Sequence, residues 1–225
     1  MDMEPHEFWQ DIHPAGSFDA SGVHKEFFPI TLDGGQQLKL PIRPLAGTDN
    51  ALASLIVNQA SFDVLNVLAD DLTLKIKEFD VDVVVGLPTL GLTLASEVAR
   101  RLGHSRYVPF GTSRKFWYDD ELSVLMSSIT TAQQKRLYID PRMLPLLKGK
   151  RIALIDDVIS SGGSIVASLK LLANSGLKPV MIGAAMLQSE RWHDALNKID
   201  PTYVSITRAA FSTPLLKRSG DGWST

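Results

Sequence analysis

From residue 81 onward the chain alternates short β-branched or apolar runs with stretches of helical period, and this alternation restricts the fold more than any other feature. Val81–Val85 (VDVVV), Tyr107–Phe110, Ile152–Ile155 and 179–187 read as strands, with further strands over Leu137–Ile139 and 203–207. An amphipathic helix runs to Leu102, and others are predicted over 164–174 and 190–198. Nearly continuous apolar strands fit a sheet covered on both faces. Strands alternating with helices imply βαβ units with right-handed crossovers, so the expected fold is α/β, a twisted parallel sheet flanked by helices. Such sheets bind ligands beyond the carboxyl ends of their strands, which is where chemistry should be sought.

The residues before 81 have a different pattern. Residues 1–22 mix Pro, Gly, Asp and Ser and read as coil with one short amphipathic piece. His24–Leu32 and Gln36–Ile42 flank Asp33-Gly34-Gly35, a strong hairpin signal because turn positions with φ > 0 favour these residues. Thr48-Asp49-Asn50 can cap a helix, and the spacing of Leu52, Leu55, Ile56, Phe62, Leu65, Leu68, Leu72 and Ile76 predicts one or two helices over 50–78. The resulting division is an N-terminal segment and hairpin over 1–48, an α/β core over 49–210, and a C-terminal tail over 211–225.

Composition narrows the chemistry. The 225 residues include no Cys, which excludes disulfides, thiolate metal sites and cysteine nucleophiles and suits a cytoplasmic protein. Lys and Arg number 23 against 25 Asp and Glu, so no global basic field exists to hold a nucleic acid. No run of apolar residues is long enough for a transmembrane helix, and the acidic, aromatic N-terminus does not read as a secretory signal. No two of His6, His13, His24, His104 and His193 have the spacing of a helical metal pair.

The segment Ile152–Ser164 carries the strongest functional signal. An apolar strand ends in two adjacent carboxylates, Asp156 and Asp157, followed by Val158-Ile159 and a small-residue loop, Ser160-Ser161-Gly162-Gly163-Ser164, that opens a helix. Free N–H groups at that helix start, with serine hydroxyls, suit a dianionic phosphate. Carboxylates repel a phosphate, but suit a polyol that donates hydrogen bonds, or Mg²⁺. One segment therefore reads both ends of a ribose 5-phosphate. The plainer alternative is a strand ending in solvated aspartates before a capping serine.

This arrangement resembles the phosphoribosyl-pyrophosphate (PRPP) signature of the type I phosphoribosyltransferases, and the wider resemblance covers roughly residues 80–210. It implies that Asp156 and Asp157 hold the ribose hydroxyls and that Ser160, Ser161, Gly162, Gly163 and Ser164 hold the 5′-phosphate. The family's pyrophosphate loop falls on Leu87, Pro88, Thr89, Leu90 and Gly91, which is apolar here where many members carry a charge or an extra Gly. The spacing Gly86-x4-Gly91 is not a P-loop, because Leu92-Thr93 follows in place of Lys and Ser/Thr. The family's basic lid falls on 111–136, with Arg114-Lys115 matching a pair seen in adenine and orotate phosphoribosyltransferases, and Lys135-Arg136 closing the segment. Phe116, Trp117 and Tyr118 give such a lid apolar surface to bury.

The resemblance further implies a Mg²⁺-dependent transferase of nucleotide salvage, a glycosyltransferase that moves ribose 5-phosphate from PRPP to a nucleobase and releases pyrophosphate. Mg²⁺ would be held through the substrate, with Asp156 and Asp157 as further ligands, and the molecule is expected to be a homodimer. Asp156, Asp157, Arg114 and Lys115 are the expected catalytic set. The hairpin, with Phe27 and Phe28, is the candidate hood over the base, although hairpin packing accounts for both aromatics equally simply. Residues Gln188 to His193 could also line a base pocket. Hypoxanthine-guanine enzymes usually place an acid three positions after the second Asp; Ser160 stands there, which leans toward an adenine-like or orotate-like acceptor. The alternative from another class is a non-catalytic regulator that binds PRPP. Known regulators carry a winged helix before the core, and residues 1–80 do not read as one. A PRPP synthase shares the motif, but is longer and duplicated.

Overall fold

The structure is a computed structural model and describes residues 3–126 and 135–225. The hairpin forms as expected: β1 (Phe27–Thr31) pairs antiparallel with β2 (Gln37–Pro44), Phe27 facing Pro41 and Thr31 facing Gln37. Its reversal uses one left-handed residue, Gly35 at φ 83°, whose N–H donates to the Leu32 carbonyl at 2.8 Å; Asp33 and Gly34 are not left-handed. Asn50–Ala53 does not begin a helix. It is a strand, β3, because Ala51 and Ala53 alternate into the core and the segment pairs with β2. Helix α1 (Phe62–Ile76) starts later, where the Ser61 hydroxyl accepts the Val64 N–H at 3.2 Å. It buries Leu65, Leu68, Leu72 and Ile76, while Phe62, expected on that face, is exposed at its first turn.

The core follows as β4 (Val83–Gly86), α2 (Gly91–Arg101), β5 (Val108–Pro109), a short antiparallel pair β6 (Ser123–Leu125) and β7 (Arg136–Tyr138), β8 (Ile152–Ile159), α3 (Gly163–Asn174), β9 (Pro179–Gln188), α4 (Arg191–Asn197), α5 (Thr202–Ser205) and β10 (Thr207–Thr213). The main sheet has the order β10-β9-β8-β4-β5 and is parallel throughout. The strand expected over 203–207 is displaced. The Asp200 carboxylate accepts the Thr202 N–H at 2.9 Å and starts a helical turn, so the strand begins at Thr207, where Ala209, Ala210 and Phe211 can be buried. Successive strand residues enter opposite cores: Val84, Ala153 and Ile155 pack toward α1 and α2, and Val83, Val85, Ile152 and Leu154 pack toward α3. Each Val, Ile or Leu side chain among them contributes about 1.5–3 kcal/mol when fully buried, which accounts for strands without polar alternation.

The C-terminal residues do not form a tail. β11 (Leu215–Ser219) pairs with β3 and with β12 (Gly222–Ser224), giving a second, antiparallel sheet of order β1-β2-β3-β11-β12. A reciprocal backbone pair between His24 and Trp223, at 2.7 and 2.8 Å, joins β12 to the segment leading into β1, so this cap closes on itself. Gly222 is required at the seam, because a Cβ there would lie 2.7 Å from the His24 carbonyl oxygen. The cap meets the parallel sheet at its carboxyl side, where the Gln188 amide at the end of β9 donates to the Ala53 carbonyl at 2.6 Å. Among the described residues, no helix is long and apolar enough to cross a membrane.

Candidate functional site

Asp156 and Asp157 lie in the last half of β8 and are 6% and 9% exposed. The Asp157 N–H donates to Asp156 Oδ1 at 2.9 Å. Among the described residues, neither carboxylate forms an ion pair. Burial pushes the Asp156 carboxyl well above the usual carboxylate range, and the neighbouring Asp157 charge adds to the rise. Burial also lifts Asp157. Two buried acids with no cationic side chain beside them are an unfavourable arrangement for folding alone, and suit a ligand that brings donors or a cation.

The loop Ser160–Ser164 continues directly from this pair. Gly162 sits at φ 81°, a left-handed backbone that favours glycine, and a Cβ there would fall 3.1 Å from Ala195 Cβ, a tight approach to α4. Among the described residues, the N–H groups of Ser160, Ser161, Gly162, Gly163 and Ser164 find no protein acceptor. They line a cavity of about 110 Å³ together with Asp156, Ile159 and Ile165. Several waters at about 30 Å³ each would fill it, which is the scale of a phosphate group. The Ser160 hydroxyl accepts from Arg191 Nη2 at 2.9 Å.

The β4–α2 turn converges on the same place. Leu87 is buried, and its N–H donates to the Ile155 carbonyl at 2.9 Å; the Pro88–Thr89 peptide is cis, and Thr89 and Leu90 are exposed. Among the described residues, the Thr89, Leu90 and Gly91 N–H groups have no protein acceptor. A Cβ on Gly91 would lie 2.8 Å from both the Cα and Oδ1 of Asp156, so a residue without a side chain lets the two loops meet. Three sequence-selected groups, the acid pair, the 160–164 loop and the 87–91 turn, therefore sit around one point at the mouth of β8 and β4.

The other selected residues are placed differently. Arg114 and Lys115 are exposed, and Arg114 pairs with Asp120 at 2.9 Å. Phe116 is 92% exposed and lies edge-on to Trp117 at 4.8 Å. Trp117 is tied down: its indole nitrogen donates to Asp140 at 3.4 Å, and Arg142 covers its ring at 4.4 Å. Hydrogen bonding from Arg142 holds the Asp140 carboxyl at about 2. Residues 127–134 of the expected lid lie outside the described residues. Phe28 is buried in the cap, edge-on to His24 at 5.3 Å, and Phe27 packs against Phe18 at 5.4 Å. Both serve the packing of the hairpin.

A cavity of about 760 Å³ opens at the carboxyl ends of β9 and β10, lined by Ser189, Arg191, Trp192, His193, Ser212 and Pro214 among others. Gln188 to His193 is legible in the sequence as a post-strand segment; residues 212–215 are not, because nothing local reveals that the chain turns there from the sheet into the cap. A cavity of about 500 Å³ between the N-terminal segment and β2 receives no residue from a strand carboxyl end of the main sheet. Among the described residues, no group of three or more His, Asp or Glu could hold a metal ion by itself.

The family model of the phosphoribosyl transferase domain matches residues 53–212. Similar curated proteins include a hypoxanthine/guanine phosphoribosyltransferase of Methanobacterium lacus, 32% identical over 128 residues that make up 57% of this chain and 63% of that one. Another, of Methanosarcina acetivorans, is 32% identical over 105 residues, 47% and 51% of the two chains. The chain thus spans between half and two thirds of the length of these relatives. Similar solved structures include APRTase from Giardia lamblia complexed with 9-deazaadenine, with a TM-score of 0.58 at 18% identity, covering 83% of this chain and 93% of that one. The adenine phosphoribosyltransferase of Thermoanaerobacter pseudethanolicus has a TM-score of 0.55 at 20% identity, covering 67% and 81%. At these identities the structures establish the shared fold.

Proposed function

The chain belongs to the phosphoribosyl transferase domain family, of the type I fold, and from that premise we propose that it transfers ribose 5-phosphate from PRPP to a purine base, releasing pyrophosphate. The observation that carries this reading is the buried acid pair without a protein cation, continuous with a loop of unpaired amides. In this reading Asp156 and Asp157 accept hydrogen bonds from the ribose hydroxyls, and the 160–164 amides hold the 5′-phosphate. The unpaired amides of 89–91 face the pyrophosphate, so this apolar turn binds through its backbone rather than through a charged side chain. The C1–O bond to pyrophosphate breaks with its electron pair leaving on pyrophosphate, and a base nitrogen bonds to C1 and gives up its proton to solvent. The protein positions the partners and supplies electrostatic stabilisation. Bound Mg²⁺ would neutralise charge on the leaving group. Asp156 and Asp157 fit a role in holding it, with the remaining ligands coming from substrate oxygens.

The cavity at the ends of β9 and β10 is the acceptor pocket in this proposal, and the closed antiparallel cap is its hood. Phe27 and Phe28 then support the hood from within. A purine is preferred because the curated relatives are named for hypoxanthine and guanine; among purines Ser160 leans toward adenine. The lid from 111 onward brings Arg114 and Lys115 toward the leaving pyrophosphate and excludes water from a glycosyl cation. The test is pyrophosphate release from PRPP and Mg²⁺ with adenine, guanine, hypoxanthine, xanthine, orotate or uracil. Release with a purine is expected. PRPP binding with every base inert would replace this reading with that of a PRPP-binding regulator.

A further inference from the structure

Arg191 opens α4, and α4 is locked to the phosphate loop. Gly162 packs closely on α4, where a Cβ would lie 3.1 Å from Ala195 Cβ and 3.5 Å from Trp192, and the Trp192 indole donates to the Ser189 carbonyl at 3.0 Å. The guanidinium therefore rests on a fixed base. It donates from Nη2 to the Ser160 hydroxyl at 2.9 Å and from Nε to the Ser189 hydroxyl at 3.2 Å. Both partners are neutral. Among the described residues Arg191 forms no ion pair, whereas Arg101, Arg142 and Arg208 are each paired with a carboxylate. A guanidinium carries five N–H donors in a planar fork suited to phosphate oxygens, and two bonds to hydroxyls leave the others free. Arg191 also lines the large cavity at the ends of β9 and β10, and its hydrogen bond to Ser160 links it to a residue that lines the amide-lined one.

We propose that Arg191 is a direct ligand of the 5′-phosphate, adding a side-chain cation to a cradle otherwise made of backbone amides and serine hydroxyls. The two hydroxyls orient the fork, and the phosphate supplies the anion that the protein does not. This rests on the PRPP reading above.

The test is calorimetry on the full chain, using PRPP with Mg²⁺, ribose 5-phosphate, and pyrophosphate with Mg²⁺ as separate probes. Arg191→Gln keeps an N–H donor near the position of Nε, for the Ser189 hydroxyl, and removes the charge; Arg191→Lys keeps the charge. The Gln variant is expected to lose about tenfold or more in affinity for PRPP and ribose 5-phosphate, the scale of a charge-assisted hydrogen bond, with pyrophosphate binding unchanged. Its PRPP affinity should also depend less steeply on salt than that of the wild type, and the Lys variant should recover part of both. Equal losses for all three probes, or a Gln variant that binds PRPP like the wild type, would overturn the assignment. A wild type that binds no PRPP would instead refute the functional reading beneath it.

Discussion

Replacing Asp156 by Asn separates what the acid pair does for the ligand from what it costs the fold. The carboxyl is buried, has another acid beside it and forms no ion pair among the described residues, and these conditions raise its folded-state pKa well above the ordinary value. A group whose folded pKa exceeds its unfolded one binds more protons when folded. Its stabilising contribution is complete below the unfolded pKa of about 4 and is lost as pH rises through the folded pKa. Above that, ionised Asp156 is a liability to the empty protein. Asn has the same shape and no charge, so Asp156→Asn should be more stable than the wild type at pH 8. The gain should be on the order of 1–2 kcal/mol, typical of relieving a strained functional site, or about 2–8 °C in Tm for a chain of this size. The gap should close as the pH is lowered toward 4. Thermal melts of both proteins without ligand, from pH 4 to 8.5, measure this directly, and PRPP affinity measured in parallel should fall. An Asn variant less stable than the wild type at pH 8, or a difference that widens in acid, would show that Asp156 has a protein partner and that the pair is structural.

Two further outcomes follow from the same geometry. Gly91→Ala pushes a methyl to 2.8 Å from the backbone of Asp156; overpacking of this kind should cost about 1–3 kcal/mol in denaturant unfolding and weaken pyrophosphate and PRPP binding together, and a neutral effect on both would mean the loops do not meet as described. Replacing Arg114 and Lys115 together by Ala removes exposed charge whose one ion pair, Arg114 with Asp120, is a surface contact worth little. Stability should be nearly unchanged, while kcat falls more than PRPP affinity; equal losses in kcat and affinity would say that the pair binds ground state and transition state alike.

How far the sequence discloses this molecule depends on whether a feature is contiguous. The apolar runs at 83–85 and 152–155 are unmistakable because both faces of the sheet are covered, and each strand records that locally. Asp156 to Ser164 is equally legible, since the acid pair and the small-residue loop follow one another along the chain. Asn50–Ala53 is not: Ala and Leu at that spacing satisfy a helix or a strand, and pairing with β2 and with the distant β11 decides it. The same distance hides β11 and β12, whose apolar face acquires meaning only when His24 and Trp223 close the cap. At the site, the need for glycine at 91 arises from Asp156, and the orientation of Arg191 from Ser160; neither pair has a local pattern to betray it. The cavity proposed for the acceptor is assembled from the ends of two strands, around 187–193 and 212–215. The acid pair and the 160–164 loop are thus encoded in one stretch of chain, whereas the large cavity is encoded only in how two stretches come together. That is the physical reason the first can be read from residues in order, whereas the occupant of the second has to be found by assay.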